Sequence, residues 1–210
     1  MNHISELAQL GTSTWLDDLS RERLVSGNLK EIISTKSIVG VTTNPAIFAA
    51  AMTNGTAYDA ELATLKESKA SADEAVYALA IEDVQNACDL FADIYSSTDG
   101  ADGRVSIEVD PRISDDPTAT LEQARELWSK VDRPNVMIKI PATTGSLPAI
   151  EDALAEGISV NVTLIFSVER YRAVIEAFRT GLKRAAESGK DVATIPVSYT
   201  HLRAHETRHD

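Results

Sequence analysis

Four segments of the chain share a pattern that narrows its possible folds, because each is aliphatic on one face and polar on the other towards its C-terminal end. In residues 105–110 every odd-numbered residue is Val or Ile, and the even-numbered residues are polar. Side chains of a β-strand alternate between two faces, so this segment predicts a strand with one aliphatic and one polar face. The other segments are residues 38–44, 135–140 and 160–166, whose polar faces hold Thr42 and Asn44, Lys139, and Asn161 and Thr163.

The strand pattern favours a β/α barrel, because each predicted strand is followed by a helix-like segment. Barrel strands turn aliphatic side chains towards outer helices and polar ones towards the upper lumen, where barrel active sites lie. An open doubly wound sheet needs apolar residues on both faces. With a first strand at residues 12–16 and a sixth starting near Val192, the sequence predicts an α/β protein of the (β/α)8 TIM-barrel class. About five to six β/α units are present, in one partial barrel over residues 1–196.

Lys139 stands out within this pattern, since it interrupts the apolar run of residues 135–140. Lysine is almost never fully buried unless it is paired or used. Burial disfavours the charged amine and so favours the neutral form that attacks carbonyl groups, which suggests Schiff-base chemistry. The alternative is a lysine that extends to solvent or pairs with a nearby carboxylate.

Three helices have explicit start signals. Ser71 and Glu74 have capping-box spacing, Asp116 precedes a proline at the first helical position, and Ser167 is a side-chain cap. The apolar stripe that follows Ser71 continues to about Tyr95, which predicts one long helix.

Composition excludes several classes of partner. The formal net charge is −12, so nucleic acid and anionic membranes would be repelled. The single cysteine, Cys88, permits no intrachain disulfide and lies on an apolar helix stripe, which indicates a core residue in a reducing compartment. No secretory leader or membrane-spanning stretch is evident, so we expect a cytoplasmic protein. The sequence gives no indication of oligomeric state.

The C-terminal segment breaks the pattern. Residues 197–210 hold His201, His205 and His209, three of the four histidines, without apolar periodicity. Histidines spaced by four could bind a metal, but we predict an unrelated, disordered tail that begins after about Ile195 and binds none.

The predicted strands carry the motifs through which the chain resembles transaldolase, in particular its longer bacterial, actinobacterial-type branch. The resemblance extends from about Leu7 to Ile195. Five motifs in order carry it: Thr14-Trp15-Leu16-Asp17-Asp18-Leu19, Gly40-Val41-Thr42-Thr43-Asn44-Pro45, Val105-Ser106-Ile107-Glu108-Val109-Asp110-Pro111-Arg112, Ile138-Lys139-Ile140-Pro141-Ala142-Thr143 and Asn161-Val162-Thr163-Leu164-Ile165-Phe166-Ser167.

The resemblance implies transfer of a dihydroxyacetone unit between sugar phosphates in the pentose phosphate pathway, without cofactor or metal. The donor would be sedoheptulose 7-phosphate or fructose 6-phosphate. By similarity, Lys139 would form the Schiff base and Asp17 would act as general base and then acid in carbon–carbon cleavage. Glu108 would shuttle protons through a water held by Thr163.

The remaining residues implied by the resemblance bind substrate. Asn44 and Asn161 would hydrogen-bond donor hydroxyls, with Thr42 as a weaker candidate beside them.

Each of these residues also has a structural interpretation. Asp17 could be a helix N-cap, and Glu108 could serve only as the ion-pair partner of the lysine. Asn44 before a proline is a common turn residue, and Asn161 and Thr163 could simply fill the barrel interior.

The chain departs from the family at its end. The family's phosphate-binding serine and arginine lie beyond the fifth helix, and Arg104 and Arg112 are expected to be surface or rim charges rather than substitutes. We therefore expect this chain to be C-terminally truncated and inactive by itself. The alternatives are a fructose 6-phosphate aldolase-like lysine aldolase and a non-functional barrel fragment.

Overall fold

The computed structural model describes residues 3–53 and 56–199 as helices that alternate with parallel strands. The chain divides into two compact units. The first comprises Met1–Ile107 and Lys130–Val136, and the second comprises Glu108–Ser129 and Met137–Asp210.

In the first unit, three parallel strands lie in the order β1 (Trp15–Leu16), β2 (Gly40–Thr42) and β3 (Arg104–Glu108), whose last residue belongs to the second unit. The register pairs Trp15 with Gly40, and Thr42 with Ser106. The helices are α1 (His3–Gln9), α2 (Arg21–Val25), α3 (Asn28–Lys36), α4 (Pro45–Thr53), α5 (Asp59–Glu67), α6 (Ala72–Leu90) and α7 (Ala92–Ser97).

The core of the first unit lies between its strands and α6. Val41 and Val105 are fully buried, as the aliphatic face of each strand predicts. Cys88 of α6 is also buried, and burial raises the pKa of its thiol to about 12. The core assignment of this cysteine is therefore confirmed.

A buried polar network connects α2 to α5 and α6. The Arg21 guanidinium contacts the fully buried Asp83 carboxylate. The Tyr58 hydroxyl donates to Asp83 at 2.7 Å and accepts the Arg21 backbone N–H at 2.8 Å. Burial raises the pKa of Asp83, while the hydrogen bonds from Tyr58 and Arg21 favour its charged form.

Replacing Asp83 by alanine should lower the free energy of unfolding by about 3–5 kcal/mol, because it removes the fully buried partner of the Arg21 cation and leaves that cation with the part-exposed Glu61 and Glu82. Urea denaturation of the 210-residue chain measures this loss. Glu82→Ala is the matched control, since Glu82 pairs with the same guanidinium at 3.1 Å but is half-exposed. We expect it to cost less than about 1 kcal/mol. Equal losses would contradict the importance of the buried pair.

The second unit holds the strands β4 (Val136–Pro141, whose first residue belongs to the first unit), β5 (Val160–Thr163) and β6 (Val197–Tyr199). They are parallel and lie in that order, and the end of β3 borders β4, where the Val109 N–H donates to the Lys139 carbonyl at 3.1 Å. The helices are α8 (Pro117–Val131), whose last two residues belong to the first unit, α9 (Leu147–Ala155) and α10 (Val168–Glu187).

Helices α9 and α10 pack against each other at a glycine. A Cβ atom at Gly181 of α10 would lie 2.6 Å from the Glu151 carbonyl oxygen of α9, so no larger residue fits without movement. Ile150 and Leu154 of α9 and Val174 of α10 are fully buried, and α9 also contacts β5.

The α/β class and the presence of five predicted strands are confirmed. Some of these strands are shorter than predicted, since β1 covers only Trp15–Leu16 and β5 ends at Thr163 rather than at Phe166. The three predicted helix starts are confirmed too, with the capping box at Ser71 complete and caps at Asp116 and Ser167.

Three further details differ from the sequence prediction. The long helix predicted to reach Tyr95 is interrupted at Phe91, where α6 ends and α7 begins. A sixth strand does not begin near Val192, because Val192–Thr194 forms a 3-10 helix that Asp191 caps. The strand lies at Val197–Tyr199, the first three residues of the segment predicted as a tail, and the remainder of that segment, residues 200–210, lies outside the described residues.

Candidate active site

In the second unit, Lys139 and Glu108 form a close pair between two buried strands. The Lys139 Nζ atom lies 3.4 Å from a Glu108 carboxylate oxygen, and the two side chains are only 10% and 12% exposed. All six residues of β4 are buried, as its apolar run predicts. A buried lysine beside a carboxylate suits a nucleophilic amine with a nearby proton acceptor.

Asn161 and Thr163 of β5 lie beside the lysine strand. The register pairs Lys139 with Asn161, and Pro141 with Thr163, so the β5 side chains project on the same face as the lysine. Both are buried, and Asn161 is completely so. The second unit thus brings together four of the predicted site residues.

The Thr163 hydroxyl is a buried polar group that needs an explanation. It has no hydrogen-bond partner among the described protein atoms, although the residue is only 3% exposed. Leaving a buried hydroxyl unpaired costs roughly 1–3 kcal/mol, so such groups usually face a water or a ligand. The backbone after it is also unusual, since Leu164 has φ of 60°, a conformation that costs a non-glycine residue about 1–2 kcal/mol and clusters at functional sites.

Backbone hydrogen bonds hold the ends of β4 and β5 in place. The Ile138 N–H donates to the Ser159 carbonyl at 2.8 Å, and the Ala142 N–H donates to the Thr163 carbonyl at 2.7 Å. The lysine and threonine therefore project from a paired section of sheet rather than from loops.

In the first unit, Thr42 lies in a hydrogen-bonded polar patch. The Ser106 hydroxyl donates to Thr42 Oγ1 at 2.8 Å, and the Thr43 hydroxyl donates to the Ser106 carbonyl at 2.7 Å. Ser106 is on the polar face predicted for β3, but its partner Thr42 lies 64 residues away, so the sequence alone did not identify this contact.

Asp17 and Asn44 follow the C-terminal ends of β1 and β2. Asp17 is exposed, and the helix after it is capped by the Ser20 hydroxyl, which accepts the Arg23 N–H at 3.3 Å. The N-cap interpretation of Asp17 is therefore wrong. Asn44 does act as a helix cap, because its Oδ1 accepts the Ile47 N–H at 2.9 Å.

The sequence did not reveal what surrounds Asp17. A cavity of about 380 Å³ is lined by Asp17, Asp18, Tyr58 and Ala50 among others. Tyr58 also belongs to the Arg21–Asp83 network, so that network supports one wall of the cavity beside the aspartate.

The two arginines considered as phosphate ligands have other contacts. Arg112 is exposed and donates to Asp110 at 2.9 Å, which lowers the pKa of that carboxyl. The prediction that Arg104 is a surface or rim charge is wrong, because this residue is 3% exposed and donates from Nε to the Gly100 carbonyl at 2.7 Å. Its guanidinium also lies 5.1 Å from the centre of the Tyr95 ring.

The described residues hold neither a candidate metal-binding cluster nor a candidate membrane-spanning helix. No three His, Cys, Asp or Glu side chains of residues 3–53 and 56–199 lie close enough to hold a metal ion. The histidines at 201, 205 and 209 lie outside those residues. In the same part of the chain, no helix has the length and apolar character needed to cross a membrane.

Comparison with known proteins supplies independent evidence of relationship. The chain is 56% identical over 193 residues to a transaldolase of Mycolicibacterium smegmatis, an alignment that covers 92% of the chain and 52% of that protein. It is 57% identical over 190 residues to a transaldolase of Kocuria rhizophila, with 90% and 52% covered. For a transaldolase of Thermobifida fusca the identity is 55% over 192 residues, with 91% and 52% covered.

The chain thus spans about half the length of the curated relatives it matches. Residues 14–200 also match the family model described as Transaldolase/Fructose-6-phosphate aldolase, a TIM-barrel family. The resemblance carried by the five strand motifs is therefore confirmed, and the chain belongs to the transaldolase/fructose-6-phosphate aldolase family.

Proposed function

We propose that this chain carries the Schiff-base machinery of a transaldolase, which transfers a dihydroxyacetone unit from sedoheptulose 7-phosphate or fructose 6-phosphate to an aldose phosphate. The observation that carries the proposal is the buried Lys139 amine, 3.4 Å from the Glu108 carboxylate. The transaldolase names of relatives at 55–57% identity support it.

The first half of the reaction forms an imine. The neutral Lys139 amine attacks the ketone carbon, and the resulting carbinolamine loses water to give an iminium ion. Glu108 first takes the proton that the Lys139 ammonium gives up in becoming the attacking amine. During addition one N–H proton passes to the ketone oxygen, and Glu108 then returns its proton to the departing hydroxyl group, which leaves as water. A water held by the Thr163 hydroxyl would carry these protons, which gives the unpaired Oγ1 atom a partner.

The second half breaks and remakes a carbon–carbon bond. Asp17 takes the proton of the C4 hydroxyl, the C3–C4 bond breaks, and its electron pair moves into the iminium to give an enamine. The aldehyde leaves, and the acceptor aldehyde is attacked by the enamine while Asp17 returns the proton. Hydrolysis of the imine then releases the product and restores the lysine. Asn161, Asn44 and Thr42 would hold donor hydroxyl groups during these steps.

A product assay distinguishes transfer from simple cleavage. We would use a chimera in which residues 1–195 of this chain are followed by the C-terminal remainder of the Mycolicibacterium smegmatis relative. With fructose 6-phosphate alone, a transaldolase releases at most one equivalent of glyceraldehyde 3-phosphate per active site, and continued release requires erythrose 4-phosphate. The family also includes fructose 6-phosphate aldolases, and product formed equally fast without the acceptor would favour that second activity.

Replacing Glu108 by glutamine tests whether it does more than pair with the lysine. If Glu108 shuttles protons, imine formation should slow by roughly 10²–10⁴-fold while the protein stays folded. Rapid-quench borohydride trapping of the chimera measures the rate. Glu126→Gln, an exposed position on α8, is the matched control. Unchanged imine formation in Glu108→Gln would limit this residue to an ion-pair role.

We also propose that the 210-residue chain alone has only background transaldolase activity. The described residues contribute six strands, whereas a closed barrel of this class has eight, and the two arginines considered as phosphate ligands, Arg104 and Arg112, contact Gly100 and Asp110 instead. Such a fragment would persist by association through strand edges. Circular dichroism and sedimentation test this proposal, and turnover by the chain equal to that of the chimera would contradict it.

The remaining partners follow from charge and composition. A net charge of −12 disfavours nucleic acid and anionic membranes as ligands, and the transaldolase names of the relatives support sugar phosphates as substrates. The single buried Cys88 and the metabolic names of the relatives support a cytoplasmic location.

A further inference from the structure

The indole of Trp15 lies flat against the backbone of Gly40, and both residues belong to the first unit. The register of β1 and β2 places these two residues side by side. A Cβ atom built on Gly40 would lie 2.6 Å from Cε2, 2.7 Å from Cδ2 and 2.8 Å from Nε1 of the indole. Non-bonded carbon atoms prefer roughly 3.5–4.0 Å, so the ring occupies the space of the missing side chain. The strand needs glycine at this position for a steric reason.

The ring lies on the polar face of these strands. A side chain at position 40 would project on the same face as Thr42, which accepts the Ser106 hydroxyl. The alternation of an extended chain also places Asp17 on the face that carries Trp15. Two residues of strand span roughly 6.6 Å, so the indole lies one pleat below the level of Thr42 and Asp17.

The indole remains accessible to a ligand. Trp15 is neither buried nor fully exposed, although one side of its ring covers Gly40. The face of an aromatic ring is electron-rich and attracts the polarised C–H bonds of a sugar carbon chain. A flat apolar surface beneath a carboxylate and a hydroxyl is therefore suited to a polyhydroxylated chain, whose hydroxyl groups face the polar atoms while its C–H bonds face the ring.

We propose that Trp15 is a substrate-contacting residue whose indole forms a platform for the carbon chain of the donor, and that Gly40 makes room for this platform. The inference rests on the proposed function, and it adds a binding residue to it. Asp17 would act on the C4 hydroxyl of a chain that the ring supports from below.

The test uses the chimera with three variants: Gly40→Ala, Trp15→Leu and the two combined. We expect Trp15→Leu to raise the KM for fructose 6-phosphate by about three- to tenfold, which corresponds to the loss of one aromatic contact. Gly40→Ala should raise KM at least as much, because the added methyl group displaces the ring. The double variant should be no worse than Trp15→Leu alone, since leucine leaves space for the methyl group. In all three, the borohydride-trapped imine at saturating donor should remain.

Val41→Ala is the matched control for a loosened strand. Val41 is fully buried next to Gly40 and projects on the opposite face, so its truncation should lower stability and leave KM unchanged. A merely structural role for the tryptophan would give the same result. A Trp15→Leu variant with the same KM as the parent chimera would overturn the inference. So would a Gly40→Ala substitution that raises KM by the same factor in the parent and in the Trp15→Leu variant.

The design separates this inference from the proposed function. A parent chimera that forms no donor imine would refute the proposed function and the platform with it. If the parent chimera forms the imine and the Trp15→Leu variant has the same KM as the parent, only the platform is refuted. The steric part is decided in the 210-residue chain itself, where denaturation should show Gly40→Ala to be destabilising in the parent and nearly neutral beside Trp15→Leu.

Discussion

Replacing Lys139 by alanine in the chimera should lower the rate of transaldolase turnover by on the order of 10⁴-fold or more, which is the scale of loss when a catalytic nucleophile is removed. In the proposed mechanism Lys139 supplies the nitrogen of the imine, so donor trapping should vanish as well. A coupled assay for glyceraldehyde 3-phosphate measures the effect. Lys130→Ala and Lys183→Ala, at exposed positions on α8 and α10, are the controls and should keep parental activity.

The Lys139→Arg variant separates nucleophile from ion pair. Arginine would keep a positive charge near the Glu108 carboxylate, but it stays protonated and forms no imine. If the lysine served only as a partner for Glu108, this variant would retain most of the activity. We expect it to be as inactive as Lys139→Ala, and turnover above a few per cent of the parent would contradict the nucleophile role.

Replacing Asp17 by alanine should slow transfer by on the order of 10²–10⁴-fold, because a general acid–base group is removed from the cleavage step. In the proposed mechanism imine formation depends on Lys139 and Glu108, so it should continue and the donor adduct should still be trapped by borohydride. Parallel measurement of aldehyde release and of trapped adduct tests this separation of the two steps.

Asp18→Ala is a closely matched control for Asp17. The Asp18 carboxylate accepts a hydrogen bond from Arg23 at 2.9 Å, so it has a structural partner of its own. We expect its replacement to change turnover less than tenfold, as for a residue outside the chemistry. Loss of trapping in Asp17→Ala, or an equally large loss in Asp18→Ala, would contradict the assignment.

Strands were predictable where apolar residues form a short continuous run or alternate with polar residues. The segment that became β4 is buried at every position, and its apolar run identified it and its lysine. The start of α6 was predictable for a local reason, since Ser71 and Glu74 cap the helix through bonds three residues apart. Signals of this kind lie within a few residues of one another, so they can be recognised without knowledge of the tertiary structure.

Features set by distant residues were not predictable. The apolar stripe continues through Phe91, but the chain bends there as α7 begins, which periodicity does not report. The last strand begins at Val197 rather than near Val192, because Asp191 caps a 3-10 turn first and pairing with β5 selects the later residues.

The same distinction between local and distant features applies to the candidate site. Strand alternation placed Glu108 on the polar face, and its pairing with the lysine followed from the neighbouring strands. The unpaired Thr163 hydroxyl depends on which groups surround it in three dimensions. The Arg21 contacts are more distant still, since Tyr58 and Asp83 lie 37 and 62 residues away.

The most direct test is to identify the lysine that forms the imine. The chimera would be incubated with fructose 6-phosphate, reduced with borohydride, digested and mapped by mass spectrometry. The proposed function predicts a reduced donor adduct on Lys139, in the buried strand beside Glu108. An adduct confined to Lys130 or Lys183, or active enzyme with no adduct on Lys139, would contradict it.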